Sequence, residues 1–361
     1  MKTATAEVRL KSLQLNLERV RRLAPKSHVL AVLKANAYGH GLLPVAKTLE
    51  DHADAFGVAR INEAIALREG GVEKTPIVLM EGFVTPEHLP LLNKYQLESV
   101  IHSPEQLSQF LEAELDEPIQ IWLKVDTGMN RLGIPVSQCS EFYQSLSQSP
   151  NVKSPIRIMT HFPCADDIGS QMTDAQITVF DDIDETKATE LSLCNSAGVI
   201  AWPKAHRDWV RPGIMLYGVS PMLGCCGPEH GLEPAMRMTS SIISIKEVEA
   251  GQYVGYGATW KSNEKTKIAV VAIGYGDGYP RHAPSGTPVY VNGREVPLAG
   301  RVSMDMICID LGPDAQDKVG DEVILWGPEL PIEKIATFAN TIGYELLCNI
   351  TGRVDIRYIK S

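Results

Sequence analysis

The chain has 361 residues, of which 44% are hydrophobic and 22% charged, a composition typical of a folded globular protein of about two domains. Its 34 Lys and Arg against 44 Asp and Glu give a formal net charge of −10, which argues against general binding to nucleic acid or to an anionic membrane surface. No apolar run approaches the ~20 residues of a membrane-spanning helix, and the first residues hold no apolar signal segment, so we expect a cytoplasmic protein. Seven scattered cysteines without a CxxC pair predict neither a disulfide framework nor a metal site.

From about residue 27 to residue 218, short strand-like runs alternate with amphipathic stretches, a pattern typical of βα units and a parallel sheet. The predicted strands are 29–33, 55–58, 77–79, 97–101, 119–125, 156–160, 191–194 and 209–210, and helices between them include 62–69, 104–114 and 171–185. About eight such units predict a TIM-type (β/α)8 barrel. A doubly wound sheet is the alternative that the same pattern allows.

After Pro234 the pattern changes to strands separated by Gly and Pro turns. The predicted strands are 238–248, 267–273, 288–291, 306–310 and 322–326, with one helix at 331–340 and a hairpin turn at Asn292-Gly293. We therefore predict an α/β protein with a barrel at residues 1–234 and a mainly β domain at residues 235–361, connected by a linker at 220–234.

Polar side chains follow the predicted barrel strands at their carboxyl ends, where the loops of such a barrel carry its chemistry. Lys34 follows the first strand, and partial desolvation there would lower its pKa and make it available as a Schiff-base nucleophile. A lysine that extends to the surface is the alternative. Other strand ends carry Lys124, Asp126, Arg131, His161, Asn195, Ser196 and Arg211.

The small residues after the seventh and eighth strands, Ser196 to Gly198 and Gly213-Ile214, would let an anion approach backbone N–H groups. A Schiff-base lysine that faces a phosphate site suggests pyridoxal phosphate as cofactor. A Ser-Gly helix start without any ligand is the alternative for these residues taken singly.

The residues from Val32 to Gly41, VLKANAYGHG, resemble the pyridoxal-lysine motif of the alanine racemases. Further segments that resemble the family follow in order along the chain: Lys124–Gly133, Thr160–Phe162, Arg211–Gly218, Gly255–Trp260, Ile273–Tyr279 and Gly300–Asp305. The resemblance implies a barrel followed by a β domain. It also implies an isomerase that interconverts L-alanine and D-alanine by two-base proton transfer on a pyridoxal phosphate aldimine, for D-alanine supply to peptidoglycan or for alanine catabolism.

The resemblance also implies roles for individual residues. Lys34, which carries the cofactor, and Tyr256 would be the two catalytic bases, with a hydrogen-bond chain from Tyr256 through His161 to Arg211. The expected cofactor-binding residues are Lys34, Tyr38, His161, Asn195, Ser196, Arg211, Gly213 and Ile214, and the expected substrate-binding residues are Arg131, Met304, Tyr275 and Asp305. Lys124 is expected to carry a carbamate, because an anionic group can orient Arg131 where an ammonium would repel it. An ordinary lysine paired with Asp126 is the alternative.

Lys34 lies in the predicted barrel and Tyr256 in the predicted β domain, and the resemblance implies that they meet across a head-to-tail homodimer with composite sites. One position departs from the family, because many members have a tyrosine where this chain has Gly352. Two alternatives of another class are a noncatalytic pyridoxal phosphate carrier, which would not need Tyr256, and a decarboxylase, which would place a carboxylate rather than Arg211 at the pyridine nitrogen.

Overall fold

The computed structural model describes residues 3–360. The strands, in chain order, are β1 Thr5–Arg9, β2 His28–Val32, β3 Ala55–Val58, β4 Ile77–Leu79, β5 Leu97–Ile101, β6 Ile119–Asp126, β7 Ile134–Pro135, β8 Val152–Met159, β9 Leu191–Ser192, β10 Trp209–Val210, β11 Met236–Val248, β12 Tyr253–Val254, β13 Trp260–Lys261, β14 Thr266–Val271, β15 Pro288–Val291, β16 Arg294–Pro297, β17 Ile307–Gly312, β18 Glu322–Trp326 and β19 Asp355–Ile359. The helices are α1 Leu10–Leu23, α2 Lys34–Tyr38, which is a single left-handed turn, α3 Leu42–Leu49, α4 Ile61–Glu69, α5 Leu89–Lys94, α6 Pro104–Glu112, α7 Cys139–Ser147, α8 Met172–Asp181, α9 Ser196–Ala201, α10 Ile332–Phe338 and α11 Gly343–Cys348.

Eight parallel strands close into a barrel. The order is β5, β4, β3, β2, β10, β9, β8, β6, and β5 pairs with β6 to complete the circle. The strands are buried on both faces because helices cover the outside, which is why they read as continuous apolar runs in the sequence. The predicted (β/α)8 barrel is confirmed, and the doubly wound sheet is excluded because it would leave two open edges.

A layer of large side chains fills the barrel below the carboxyl ends of its strands. The Arg157 guanidinium lies over the rings of Trp122, at 4.9 Å, and Trp209, at 4.6 Å, and it pairs with Glu98 and Glu190. Each indole N–H also donates to one of these carboxylates. Because side chains two residues apart on a strand share a face, Lys124 and Arg211 lie directly above Trp122 and Trp209. The layer therefore forms the floor on which the Lys124 and Arg211 side chains lie.

The second sheet holds most of the chain after residue 235, in the order β16, β15, β18, β11, β1, β19, with β14 pairing β11 and β17. Its β15–β16 hairpin turns at Asn292 and Gly293, whose φ values of 45° and 85° are the positive values that a two-residue hairpin turn needs. This confirms the predicted hairpin and the mainly β character of this half.

The first strand of the chain belongs to this second sheet and not to the barrel. β1 pairs antiparallel with β11 and parallel with β19. The predicted domain boundary between residues 234 and 235 stays a prediction. The predicted barrel range, 1–234, includes β1, although β1 pairs with strands of the second sheet. The pairing partners are more than 200 residues away, so no local pattern in the sequence indicates them. None of the helices between residues 3 and 360 is long and apolar enough to cross a membrane.

Candidate active site

The segment after β2 is a left-handed turn that begins at Lys34. Ala35, Asn36, Ala37 and Tyr38 all have φ values between 51° and 54°, and Gly39 follows at 78°. A non-glycine residue in a left-handed helix costs roughly 1–2 kcal/mol, so this turn persists only because its surroundings fix it. It leaves the Lys34 side chain partly exposed at the mouth of the barrel while Tyr38 is buried.

Tyr38 lies against the loop that follows β10. A Cβ atom built on Gly213 would lie 2.6 Å from the Tyr38 hydroxyl oxygen, so only glycine allows this approach. Ser196, the first residue of α9, accepts a hydrogen bond from the Gly213 N–H at 2.8 Å, and Ile214 follows directly. Burial, followed by the neighbouring Tyr344, raises the pKa of Tyr38, so its hydroxyl stays protonated and can donate to an anion. Four of the expected cofactor-binding residues, Tyr38, Ser196, Gly213 and Ile214, therefore lie close together.

Arg211, at the end of β10, is 2% exposed. Its guanidinium donates to the Ser192 hydroxyl at 2.6 Å and the Thr160 carbonyl at 2.6 Å, and Nη2 lies 3.3 Å from Nδ1 of His161. Burial lowers the pKa of Arg211 to about 10, so the group stays charged at neutral pH. Its Nε is buried and has no hydrogen-bond partner among residues 3–360. A buried donor without a partner is costly, which points to a ligand acceptor at this atom.

His161 follows β8 and lies beside Arg211. Burial, and then the positive charges of Arg211 and Lys124, lower its pKa well below the ordinary value, so the imidazole is neutral. A neutral Nδ1 can accept the hydrogen bond from Arg211, and this leaves Nε2 as the donor. Asn195 caps α9 by accepting from the Gly198 N–H, and its amide donates to the carbonyl of Phe162 beside His161.

Lys124, near the end of β6, is 6% exposed. Its pKa is lowered to about 8 by burial and then by the positive charges of Arg211, Arg131 and Lys34. It makes no ion pair with Asp126 or any other acid of residues 3–360 within 4.0 Å, and Asp126 instead accepts from the Gly128 N–H. Four basic side chains therefore lie near one another at the mouth of the barrel: Lys34, Lys124, Arg131 and Arg211. This concentration of positive charge suits a ligand with a phosphate or a carboxylate.

A cavity of about 740 Å³ opens beside these residues. Arg131, His161 and Asn195 line its barrel side, while α10, α11 and the 220–226 linker line the other. Its size is within the range of small-molecule sites. The exposed Arg131 side chain extends into it without a hydrogen-bond partner within the described part of the chain.

The remaining predicted residues lie together on the β domain and outside this cavity. Tyr256 is 72% exposed, Met304 52% and Tyr275 40%. The Tyr275 N–H donates to the Ser303 carbonyl, which joins two of these loops. Asp305 pairs with Arg353, which also pairs with Asp277. One chain therefore assembles the barrel residues and, separately, an exposed patch that holds Tyr256, Tyr275, Met304 and Asp305.

Two aromatic residues beside Tyr38 have no role that the sequence indicates. The Tyr217 hydroxyl donates to the Val32 carbonyl. The Tyr38 ring lies 4.8 Å from the Tyr217 ring and 5.9 Å from the ring of Tyr344 in α11. Tyr217 lies inside the segment Arg211–Gly218 that resembles the family. The sequence predicts no helix at the position of α11, so it does not indicate Tyr344. Tyr279 is 1% exposed and stacks on Trp326, so it packs in the core of the β domain.

The closed barrel, the lysine at a strand end and the buried arginine define a barrel enzyme with basic groups that suit an anionic ligand. Comparison with known proteins gives its family. Residues 8–221 match the profile of the alanine racemase N-terminal domain, and residues 235–358 match that of the alanine racemase C-terminal domain. The chain is 53% identical over 359 residues to the alanine racemase of Pectobacterium carotovorum, covering 99% of both chains. It is 51% identical over 360 residues to the biosynthetic alanine racemase of Escherichia coli K12, covering 99% of this chain and all of the relative.

Solved structures agree. The biosynthetic alanine racemase of Pseudomonas aeruginosa superimposes with a TM-score of 0.95 at 42% identity, and the alanine racemase of Acinetobacter baumannii with 0.93 at 37%, each over 99% of this chain and 100% of the other. The chain belongs to the alanine racemase family. Enzymes of this family are isomerases that interconvert L-alanine and D-alanine with pyridoxal phosphate.

Proposed function

We propose that this chain interconverts L-alanine and D-alanine with pyridoxal phosphate bound covalently to Lys34, and that it works as a homodimer. The observation that carries the cofactor assignment is the buried Arg211 Nε, which lacks a partner among residues 3–360 at a point where a pyridine nitrogen would supply an acceptor. The names of the relatives from Escherichia coli and Pseudomonas aeruginosa include "biosynthetic", which favours D-alanine supply over catabolism as the role of this chain.

The residues at the barrel mouth fit the cofactor. Tyr38, Ser196, Gly213 and Ile214 would hold its phosphate, with the protonated Tyr38 hydroxyl and backbone N–H groups as donors. His161 and Asn195 would flank the ring from the ends of β8 and β9. When bound, pyridoxal phosphate accepts electron density from the substrate Cα and so makes the Cα hydrogen acidic.

Arg211 determines which reactions the site favours. A guanidinium only donates hydrogen bonds and stays charged, so it can bind the pyridine nitrogen without protonating it. The nitrogen would then stay unprotonated, and in this way Arg211 would limit side reactions at Cα. This argues against a decarboxylase, which would use a carboxylate here.

Inversion at Cα needs a proton acceptor on one face and a proton donor on the other. Lys34 would serve one face. Tyr256 would serve the other, and neutral His161 would stabilise its phenolate by donating a hydrogen bond from Nε2. Arg131 and the backbone N–H of Met304 would hold the substrate carboxylate, with Tyr275 and Asp305 close by.

The exposed position of Tyr256 supports a shared site. Its side chain is 72% exposed and lies on the β domain, outside the cavity that Arg131 and His161 line. Tyr253, at 60% exposed, and Met306, at 41%, are further exposed apolar side chains of the same domain. A two-fold dimer would cover exposed apolar side chains of this domain and bring Tyr256 of each subunit to the barrel of the other.

The purified enzyme with cofactor should convert either enantiomer of alanine into an equal mixture of both, as measured by chiral chromatography. Reduction with borohydride, digestion and mass mapping should place the pyridoxyl group on Lys34. Conversion of neither enantiomer would contradict the proposed activity. A pyridoxyl group on another lysine, or on none, would contradict the proposed cofactor site.

We also expect Lys124 to carry a carbamate, because only the neutral amine reacts with carbon dioxide and a pKa of about 8 leaves a substantial neutral fraction near neutrality. The anionic product would pair with nearby Arg131 and Arg211. Carbon-13 NMR in labelled bicarbonate should show one carbamate signal that weakens as the pH falls. The signal should be absent from Lys124→Ala, and its persistence in that variant would refute the assignment.

Gly352→Tyr should narrow the substrate site. A Cβ atom on Gly352 meets nothing within 4 Å, and its φ is not in the left-handed region, so the side chain can be accepted. We expect the preference for alanine over serine, measured as the ratio of kcat/KM values, to rise by ~1–3 kcal/mol. Gly169→Tyr, in an exposed loop, is the control and should leave this ratio unchanged. An equal response of serine and alanine would show that position 352 does not line the site.

A further inference from the structure

We propose that Glu63 is a positioning residue that sets the place of the Lys34 amine by holding the left-handed turn. This inference rests on the proposed role of Lys34 as the cofactor-binding lysine. The Oε1 atom of Glu63 accepts hydrogen bonds from the N–H groups of Ala35, at 2.7 Å, and Asn36, at 3.4 Å. These are the first two residues after Lys34, so the carboxylate fixes the backbone at the point where the lysine side chain leaves it.

The second oxygen of the same carboxylate binds a different loop. Oε2 accepts from Ala59 N–H at 3.0 Å and from Arg60 N–H at 3.1 Å. Glu63 is the third residue of α4, and its contact with Arg60 is that of a capping-box glutamate. The contacts with Ala35 and Asn36 go beyond capping, because they connect the loop after β2 to the loop after its neighbour β3.

A carboxylate is the group that this arrangement needs. Four backbone N–H groups converge on two oxygens that only accept, and the Glu63 side chain makes no ion pair with the residues described here. An amide in its place would turn an NH2 group toward one of the two N–H pairs, so donor would face donor. The turn contains consecutive left-handed residues that are unfavourable by themselves, so its geometry depends on such external contacts.

Two forms of the cofactor can distinguish whether Glu63 positions Lys34 or only stabilises the fold. The Lys34 amine would condense with the aldehyde of pyridoxal phosphate, so that a carbon–nitrogen double bond would form and water would leave. Pyridoxamine phosphate has the same ring and phosphate but no aldehyde, so it binds without this bond. If Lys34 is displaced, the binding of pyridoxal phosphate should weaken, whereas the binding of pyridoxamine phosphate should not.

The experiment measures the Kd of both compounds by tryptophan fluorescence for the full-length chain stripped of cofactor. In Glu63→Gln, the Kd of pyridoxal phosphate should rise by about tenfold or more, whereas the Kd of pyridoxamine phosphate should change by less than about twofold. Glu229→Gln is the matched control: Glu229 is also a capping-box glutamate, with a contact to the Cys226 N–H in the linker, and it should leave both constants unchanged.

An equal rise in the Kd of both compounds, or no change in either Kd, would overturn the proposal. If Glu63→Gln does not fold, Glu63→Asp replaces it, because it keeps the charge but is too short to reach both loops, and the same selective loss is expected. Borohydride labelling of the wild-type enzyme distinguishes a failure of this inference from a failure of the proposed function. If borohydride fails to label Lys34 there, the cofactor assignment itself is wrong. If Lys34 is labelled but the selective loss is absent, only the role of Glu63 is wrong.

Discussion

Mixing Lys34→Ala subunits with Tyr256→Phe subunits should restore about a quarter of the wild-type number of active sites. If each site takes Lys34 from one subunit and Tyr256 from the other, every hybrid dimer has one intact site and one site with both changes. Random association at equal amounts makes half of the dimers hybrids, and half of their sites are intact. Each homodimer alone should have little activity, because it lacks one of the two bases in both sites.

The measurement is racemase activity of the co-expressed or co-refolded subunits, since exchange between preformed dimers can be slow. A mixture of Lys34→Ala with Lys34→Ala carrying a second purification tag is the control and should restore nothing. If both bases come from one chain, every site keeps one defect and mixing also restores nothing. That result would reject the shared site and favour a β domain that closes over its own barrel.

Arg211→Glu should reverse the effect of Arg211 on the cofactor ring. A carboxylate at this position would let the pyridine nitrogen take a proton, so the ring would accept more electron density. Racemisation should fall by about 10²–10³-fold, the scale seen when one preorganised group is removed from a site. Transamination should rise, and chiral chromatography together with the appearance of pyruvate measures the two.

The substitution also removes hydrogen bonds from Arg211 to Ser192 and Thr160, so folding must be checked by circular dichroism. Arg211→Lys keeps the charge and should shift the ratio of transamination to racemisation much less. Arg207→Glu reverses the charge of a surface arginine that pairs with Asp181, and it should leave the ratio unchanged. An unchanged ratio in Arg211→Glu would mean that Arg211 does not contact the ring.

The sequence by itself predicts the barrel and the residues at its mouth. Strands β3, β4, β5 and β10 have the predicted bounds because each is a short apolar run between polar loops, and burial on both faces requires that pattern. The end of each strand then indicates where the chemistry lies, since all the carboxyl ends of a parallel barrel meet on one face. Lys34, Lys124, His161 and Arg211 are identifiable in this way before any contact is known.

Only the tertiary structure decided how distant segments meet. The assignment of β1 to the second sheet, the approach of Tyr38 to Gly213 and the two-loop contact of Glu63 each join residues that lie far apart in the sequence or on different loops. The left-handed turn after Lys34 is likewise unexpected from its residues, because Ala and Tyr disfavour that conformation when isolated. The reason is the same for all of them. Local preferences fix a strand or a helix within a few residues, whereas these contacts gain their free energy only when the closed barrel has brought its loops together.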